Sequence, residues 1–243
     1  MRTRTLLVLT MSALLAAAVM GWYLVVRGKG DMHVAMPHFA SASQPVAEVA
    51  ARAKAGEPDA QYQLGVIYRD GLDGPPRPRQ ALEWFDRAAR QRHVRAMVAL
   101  GGLLEQGGAV KADPYKAADW YRVAAQLGDD PEAEFRLGEM HFSGRGVVQS
   151  YGEAIDWYRR AAERGHPAAQ FLIGAMYEHG WGVDRDPVQA YMWYTLVLPR
   201  AAEAMAVRRT FNPAKARERL AQGMSQFQIR EARREAAAWK PSR

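Results

Sequence analysis

The sequence predicts an all-α fold: a right-handed solenoid of helix-turn-helix repeats, preceded by a transmembrane helix. Three observations carry that expectation. A Leu-Gly or Ile-Gly pair recurs at Leu64-Gly65, Leu100-Gly101, Leu137-Gly138 and Ile173-Gly174, in steps of 36, 37 and 36 residues. Each pair precedes a loop glycine (Gly71, Gly107, Gly144, Gly180), with an alanine ten residues later (Ala81, Ala117, Ala154, Ala190) and a tryptophan thirteen later (Trp84, Trp120, Trp157, Trp193). Between these markers apolar residues fall three and four apart, the period of a helix buried on one side. A unit of this length cannot shelter its own apolar face, so copies must stack.

The first element is the apolar run Thr5–Val26, 22 residues without a charge, bounded by Arg2 and Arg4 before it and Arg27 and Lys29 after it. At ~1.5 Å rise per residue a helix of this length crosses a bilayer. Trp22 and Tyr23 fall near its far end, where amphipathic rings favour the membrane interface. Residues 1–30 are therefore expected to be a membrane anchor, with a cleaved signal segment as the competing reading because Ala16-Ala17-Ala18 offers small residues for cleavage. The expected setting is a bacterial inner membrane, crossed once, with the solenoid on the periplasmic side. Residues 31–46 mix Gly, Ser, Pro, His and Met without periodicity and read as a linker, in which His33 and His38 are solvated.

The solenoid is expected over residues 47–200. Val46 to Gly56 reads as a leading half-repeat. Helix A of each full repeat starts near Pro58, Val94, Pro131 and Pro167; proline suits a first helical position, where its missing N–H has no intrahelical partner. Ala60, Leu64, Ile67 and Tyr68 form the buried stripe of the first copy, and His141 takes the Tyr68 position in the third. The helical glycines at 65, 101, 138 and 174 each sacrifice about 1 kcal/mol of helix propensity, so a neighbour must approach too closely for a Cβ. The loop glycines should end helix A with positive φ. Helix B starts at Pro78, Pro114, Tyr151 and Pro187, with Asp113, Ser150 and Asp186 as N-caps. Residues 201–243 should form capping helices: one from Ala201 to Arg209, one opened by Asn212-Pro213, and one from Ser225 to Trp239. The last has Phe227, Ile229, Ala232, Ala236 and Trp239 as its apolar residues and Arg230, Arg233, Arg234 and Lys240 on a basic outer face.

These residues carry a resemblance. Leu137, Gly138, Gly144, Gly146, Val147, Ala154, Trp157, Tyr158, Ala161, Ala162 and Gly165, and in the next copy Gly174, Tyr177, Gly180, Gly182, Val183, Ala190 and Trp193, are similar to the Sel1-like repeat, a subclass of tetratricopeptide-like helical hairpins. The first copy departs in its loop, where Gly71-Leu72-Asp73-Gly74-Pro75-Pro76 replaces Gly-x-Gly-Val, and the second has Gly107-Gly108-Ala109-Val110. What the resemblance implies is a scaffold that binds other proteins, with the face of helix A opposite the core lining a concave groove.

That face supplies the candidate partner-binding residues: Tyr62, Val66 and Arg69; Val98 and Glu105; Phe135, Glu139 and Phe142; Phe171, Glu178 and His179. Tyr62, Val98, Phe135 and Phe171 are apolar or aromatic in every copy, and together they are expected to form an acid-flanked stripe that docks a peptide or helix. The competing expectation is that they pack between repeats.

Composition narrows the remaining classes. The chain has no cysteine, which removes disulfides, thiolate metal sites and a cysteine nucleophile. Its net charge of +7 is concentrated at the ends: residues 198–243 hold eleven Lys/Arg against four Glu, and the repeats are mildly acidic. A basic excess placed in an anchor and a tail does not point to nucleic acid. No zinc-protease helix, nucleophile elbow or Walker loop is present, and Gly144-x-Gly146 and Gly180-x-Gly182 follow helices, so they read as turns. Glu178 and His179 are adjacent on a helix and diverge by about 100°. The expectation is a non-enzymatic protein without metal or cofactor that binds a protein or peptide. A structural spacer is the alternative, and an envelope-polymer hydrolase is disfavoured.

Overall fold

The computed structural model describes residues 46–128 and 130–241. The expected anchor, and the expected linker apart from Val46, lie outside the described residues. Among the described residues there is no strand, and no helix is long and apolar enough to cross a membrane.

A leading helix, α1 (Val46–Lys54), is followed by four hairpins: α2 (Pro58–Asp70) with α3 (Pro78–Arg90), α4 (Val94–Gln106) with α5 (Pro114–Leu127), α6 (Pro131–Ser143) with α7 (Tyr151–Glu163), and α8 (Pro167–His179) with α9 (Pro187–Val197). Each helix packs on the next in sequence, so the hairpins stack in chain order. A short 3-10 turn (Leu198–Arg200) then leads to α10 (Ala201–Val207), α11 (Pro213–Ala221) and α12 (Gln226–Ala238).

The helical glycines show why the repeat needs them. A Cβ built on Gly65, Gly101, Gly138 or Gly174 would lie 2.5–2.7 Å from the ring of Phe85, Tyr121, Tyr158 or Tyr194, respectively. Each ring from helix B packs against the bare backbone of helix A in its own repeat. Burying such a ring contributes roughly 1.5–3 kcal/mol, which outweighs the propensity lost at glycine. Small alanines on both helices complete the interlock: Ala60, Ala81, Ala96, Ala117, Ala133, Ala154, Ala169 and Ala190 are all inaccessible to solvent.

The loops are fixed by a recurring backbone bond. The N–H of the helix B N-cap donates to a carbonyl near the end of helix A: Arg77 to Tyr68, Asp113 to Leu104, Ser150 to His141 and Asp186 to Tyr177. Gly71, Gly107, Gly144 and Gly180 all end helix A with φ between 68° and 74°. Gly107 differs in ψ, −141° against 24–37° in the others, and Gly108 follows at positive φ. This is the departure visible in the second copy's loop sequence. Asp113, Ser150 and Asp186 cap helix B through their side chains. The 37-residue step arises between helices B and A, where α6 starts three residues after Gly128 whereas α8 starts two after Gly165.

At the far end, α11 and α12 pack on α9, and α10 packs on α8. Trp239 meets Trp193 edge-on at 6.0 Å, and the Ser225–Gln228 capping box opens α12 with both reciprocal bonds in place. Of the apolar residues of α12, Ile229 and Ala232 are buried, whereas Phe227 in its first turn is 66% exposed.

Candidate protein-binding groove

The face of helix A opposite the core begins with position 62/98/135/171. The structure corrects the expectation of an open apolar stripe there. Phe135 is fully buried and Phe171 is 8% exposed; Val66 is also buried, and Tyr62 and Val98 are half-buried. Over Tyr62 and Phe135 the cover comes from the N-cap of the next repeat. His93 stacks on Tyr62 at 4.9 Å, and His166 stacks on Phe135 at 4.4 Å. Each histidine is a three-way joint. Its Nδ1 accepts the N–H of Ala96 or Ala169, which caps its own helix, while its Nε2 lies 3.0 Å from Asp59 or Glu132 on the preceding helix A. Tyr62 and Phe135 therefore weld repeats together, which was the competing expectation, while Val98 and Phe171 also border open clefts.

Below them stand the acids, and these are paired. Tyr121 Oη donates to Glu105 at 3.1 Å, and Arg145 reaches Glu105 from the next repeat at 3.3 Å. Glu139 lies between Arg136 on its own helix and Arg208 from the C-terminal segment, at 3.3 and 3.0 Å. Glu178 is 8% exposed; Tyr194 Oη donates to it at 2.7 Å and Arg219 grips it through both terminal oxygens. Burial first, and then the neighbouring carboxylate, pushes the phenols of Tyr121, Tyr158 and Tyr194 far above the ordinary tyrosine range, so all three stay neutral, and Tyr121 and Tyr194 donate. Burial likewise raises Glu139, outweighing the pull of Arg136 and Arg208. Glu132 goes the other way: burial opposes ionisation, but His166 and Arg136 together hold its carboxyl below the ordinary range. The first repeat has neither hydroxyl nor acid at these places: Phe85 stands where the tyrosines do, Val66 where Glu139 does, and Arg69, where Glu105 and Glu178 do, pairs with Asp70.

What remains open is a trough of three clefts that share walls. The first, about 210 Å³, lies between Arg69, Val98, Glu105 and Arg136. Glu105, Gln106 and Arg136 continue into the second, about 680 Å³, which adds Glu139, Phe142, Arg145 and Arg208. Phe142, Leu172 and Arg208 continue into the third, about 460 Å³, which includes His179, Trp181 and Phe211. Of the sequence candidates, Arg69, Val98, Glu105, Glu139, Phe142, Phe171 and His179 line this trough. Sequence reasoning missed Arg136, Arg145, Arg208, Arg219, Trp181 and Phe211. Arg136 had a visible signal, being four residues from Glu132 and three from Glu139 on one helix. Arg208, Arg219 and Phe211 had none, because they arrive from outside the repeats. Among the described residues, no group of three or more acids and histidines is placed to hold a metal ion.

A stack of helical hairpins carrying a wall-sharing trough along one helix face defines the class of helical repeat proteins. More particularly, the chain belongs to the Sel1 repeat proteins: the Sel1 repeat model matches residues 58–93, 94–129, 131–166 and 167–196. The fold is similar to a solved Sel1 repeat protein from Oxalobacter formigenes, 28% identical with a TM-score of 0.63, over 79% of this chain and 78% of that one. Chitin synthase regulatory factor 3 of Schizosaccharomyces pombe is 35% identical over 113 residues, 45% of this chain and 12% of that protein. The alginate biosynthesis protein AlgK of Azotobacter vinelandii is 31% identical over 113 residues, 46% of this chain and 24% of that protein. The chain thus spans less than a quarter of the length of either relative.

Proposed function

We propose that this chain is a non-enzymatic adaptor that holds a partner polypeptide in the trough along helix A, and that residues 1–30 fix it once through a bacterial inner membrane with the repeats in the periplasm. The trough carries the reading: three clefts with shared walls follow one another along helix A from Arg69 to Phe211. Membership of the Sel1 repeat family supports a protein as the partner. The anchor rests on the 22-residue uncharged run from Thr5 to Val26 and its basic flanks.

The test is retention of a partner from solubilised membranes by the full chain and by Ser143→Arg, which places a long charged side chain in the widest cleft from an exposed position. An adaptor loses its partner in the variant while thermal unfolding is unchanged. A spacer keeps it there and loses it only when the chain ends are altered. Resistance of the chain to alkaline extraction from membranes tests the anchor.

A further inference from the structure

The trough is not uniform along its length. In the first two clefts arginine and carboxylate alternate: Arg136 lies within 3.3 Å of both Glu132 and Glu139, and Arg145 meets Glu105. Among the described residues, no Asp or Glu lines the third cleft. Its cations are Arg208, Lys215 and Arg219. Arg208 and Arg219 each hold one carboxylate that is not part of this cleft's lining, Glu139 and Glu178, and still leave 57% of their side chains exposed. Lys215 is exposed and has no ion-pair partner among the described residues.

The same cleft has aromatic walls. On one side Phe142 meets Trp181 edge-on at 5.4 Å, and His179 lies 4.6 Å from Trp181. On the other, Phe211 is stacked on Phe171 at 4.8 Å. Trp181 is 38% exposed although large aromatics are expensive to leave in water. An aromatic-walled recess of about 460 Å³ with basic residues around it admits a side chain and a short stretch of backbone. A bilayer presents no such protrusion.

We propose that this C-terminal cleft is the specificity pocket of the trough, and that it takes an acidic partner segment. A large apolar or aromatic side chain of the partner seats between Trp181 and Phe211. An adjacent Asp or Glu is held by Lys215 and by the outward guanidinium edges of Arg208 and Arg219, charge meeting complementary charge. The inference deepens the adaptor reading and rests on it.

The experiment selects displayed random peptides on the full chain, then measures fluorescence anisotropy of a labelled synthetic copy of the most enriched peptide. The variants are Lys215→Glu, Trp181→Ala and Ser143→Arg, all at exposed positions, with thermal unfolding checked for each. The expected result is enrichment of peptides with Asp or Glu beside Phe, Trp, Leu or Met, and binding weakened roughly tenfold by Lys215→Glu or Trp181→Ala. Replacing the peptide's acids with lysine should abolish binding to the native chain and restore part of it to Lys215→Glu. Enrichment of basic or neutral peptides overturns the proposal, as does binding that ignores both variants. Peptides lost with Ser143→Arg but indifferent to Lys215→Glu and Trp181→Ala overturn this cleft and leave the adaptor reading standing. No peptide enriched at all, with anionic-lipid vesicles retained by the chain instead, overturns both.

Discussion

The junction between the third and fourth repeats and the junction between the fourth repeat and the cap solve the same problem with different chemistry. In the first, His166 lies on Phe135, caps α8 and reaches back to Glu132, so one residue supplies packing, a cap and a polar tie. In the second, Phe211 lies on Phe171 with only its ring to offer, and the polar tie comes separately, from Arg219 to Glu178. The regular junction is closed. The terminal one is left with an open recess beside its plug. Repetition thus supplies the frame, and its interruption supplies distinctive surface.

The sharpest way to break that comparison is to truncate the two matching phenylalanines. Phe135→Ala should destabilise by about 3–5 kcal/mol, the range for a fully enclosed ring. Phe171→Ala should cost less, since its site borders a cleft that water can enter. Chemical denaturation measures both, and equal losses would remove the distinction between closed and open junctions.

Two neighbouring glycines sharpen the account of the hairpins. A Cβ on Gly101 would meet the Tyr121 ring at 2.6 Å, whereas one on Gly102 would meet nothing closer than Tyr121 Oη at 3.8 Å. Gly101→Ala should cost about 1–3 kcal/mol through overpacking. Gly102→Ala, one residue further along the same helix, should gain about 0.5–1 kcal/mol from helix propensity. Thermal unfolding of the pair should therefore shift in opposite directions.

Glu134 marks a weak rung. At its position Gln61 and Gln170 donate to the carbonyls of Ala53 and Ala162, each closing the preceding helix. Glu134 has no N–H to donate; it leans on Arg160 and Arg164 instead, and its buried Oε2 has no hydrogen-bond partner among the described residues. Burial raises its carboxyl above the ordinary glutamate range despite those arginines. A raised carboxyl binds its proton more tightly in the folded state, so this group favours folding below the ordinary glutamate value and loses that contribution as pH rises through the raised one. Glu134→Gln should therefore gain about 1 kcal/mol at neutral pH, and the advantage over the native chain should shrink as pH falls towards 4.5. Urea denaturation at several pH values reads this directly.

The smallest effect is at Arg92, which adopts φ 65° where Gly128 and Gly165 stand in the next copies. Arg92→Gly should gain about 0.5 kcal/mol, the relief of left-handed strain less the entropy glycine loses on folding. Differential scanning calorimetry should show a slightly higher midpoint.

These cases also show what was legible in the sequence. Proline at a first helical turn and glycine beneath a ring act locally, and so α2, α4, α6 and α8 begin at Pro58, Val94, Pro131 and Pro167 as the spacing requires. The groove was legible as a face but not as a surface. Periodicity places Phe135 opposite the core stripe, yet whether that direction meets water depends on the reach of His166, a residue of the following repeat. The chemistry of the last cleft was less legible still. Arg208, Phe211 and Arg219 come from helices and turns outside the period, and nothing in their own neighbourhood announces that they will arrive beside Glu139, Phe171 and Glu178.

The most direct test of the central claim places a photo-crosslinking residue at Phe142, where the second and third clefts meet, and in parallel at Asp119 on the exposed side of α5, in the full chain in its own cells. A chain that holds a polypeptide in its trough gives a discrete adduct of one mass from Phe142 and none from Asp119. Adducts of the same pattern from both positions, or from Asp119 alone, would contradict it.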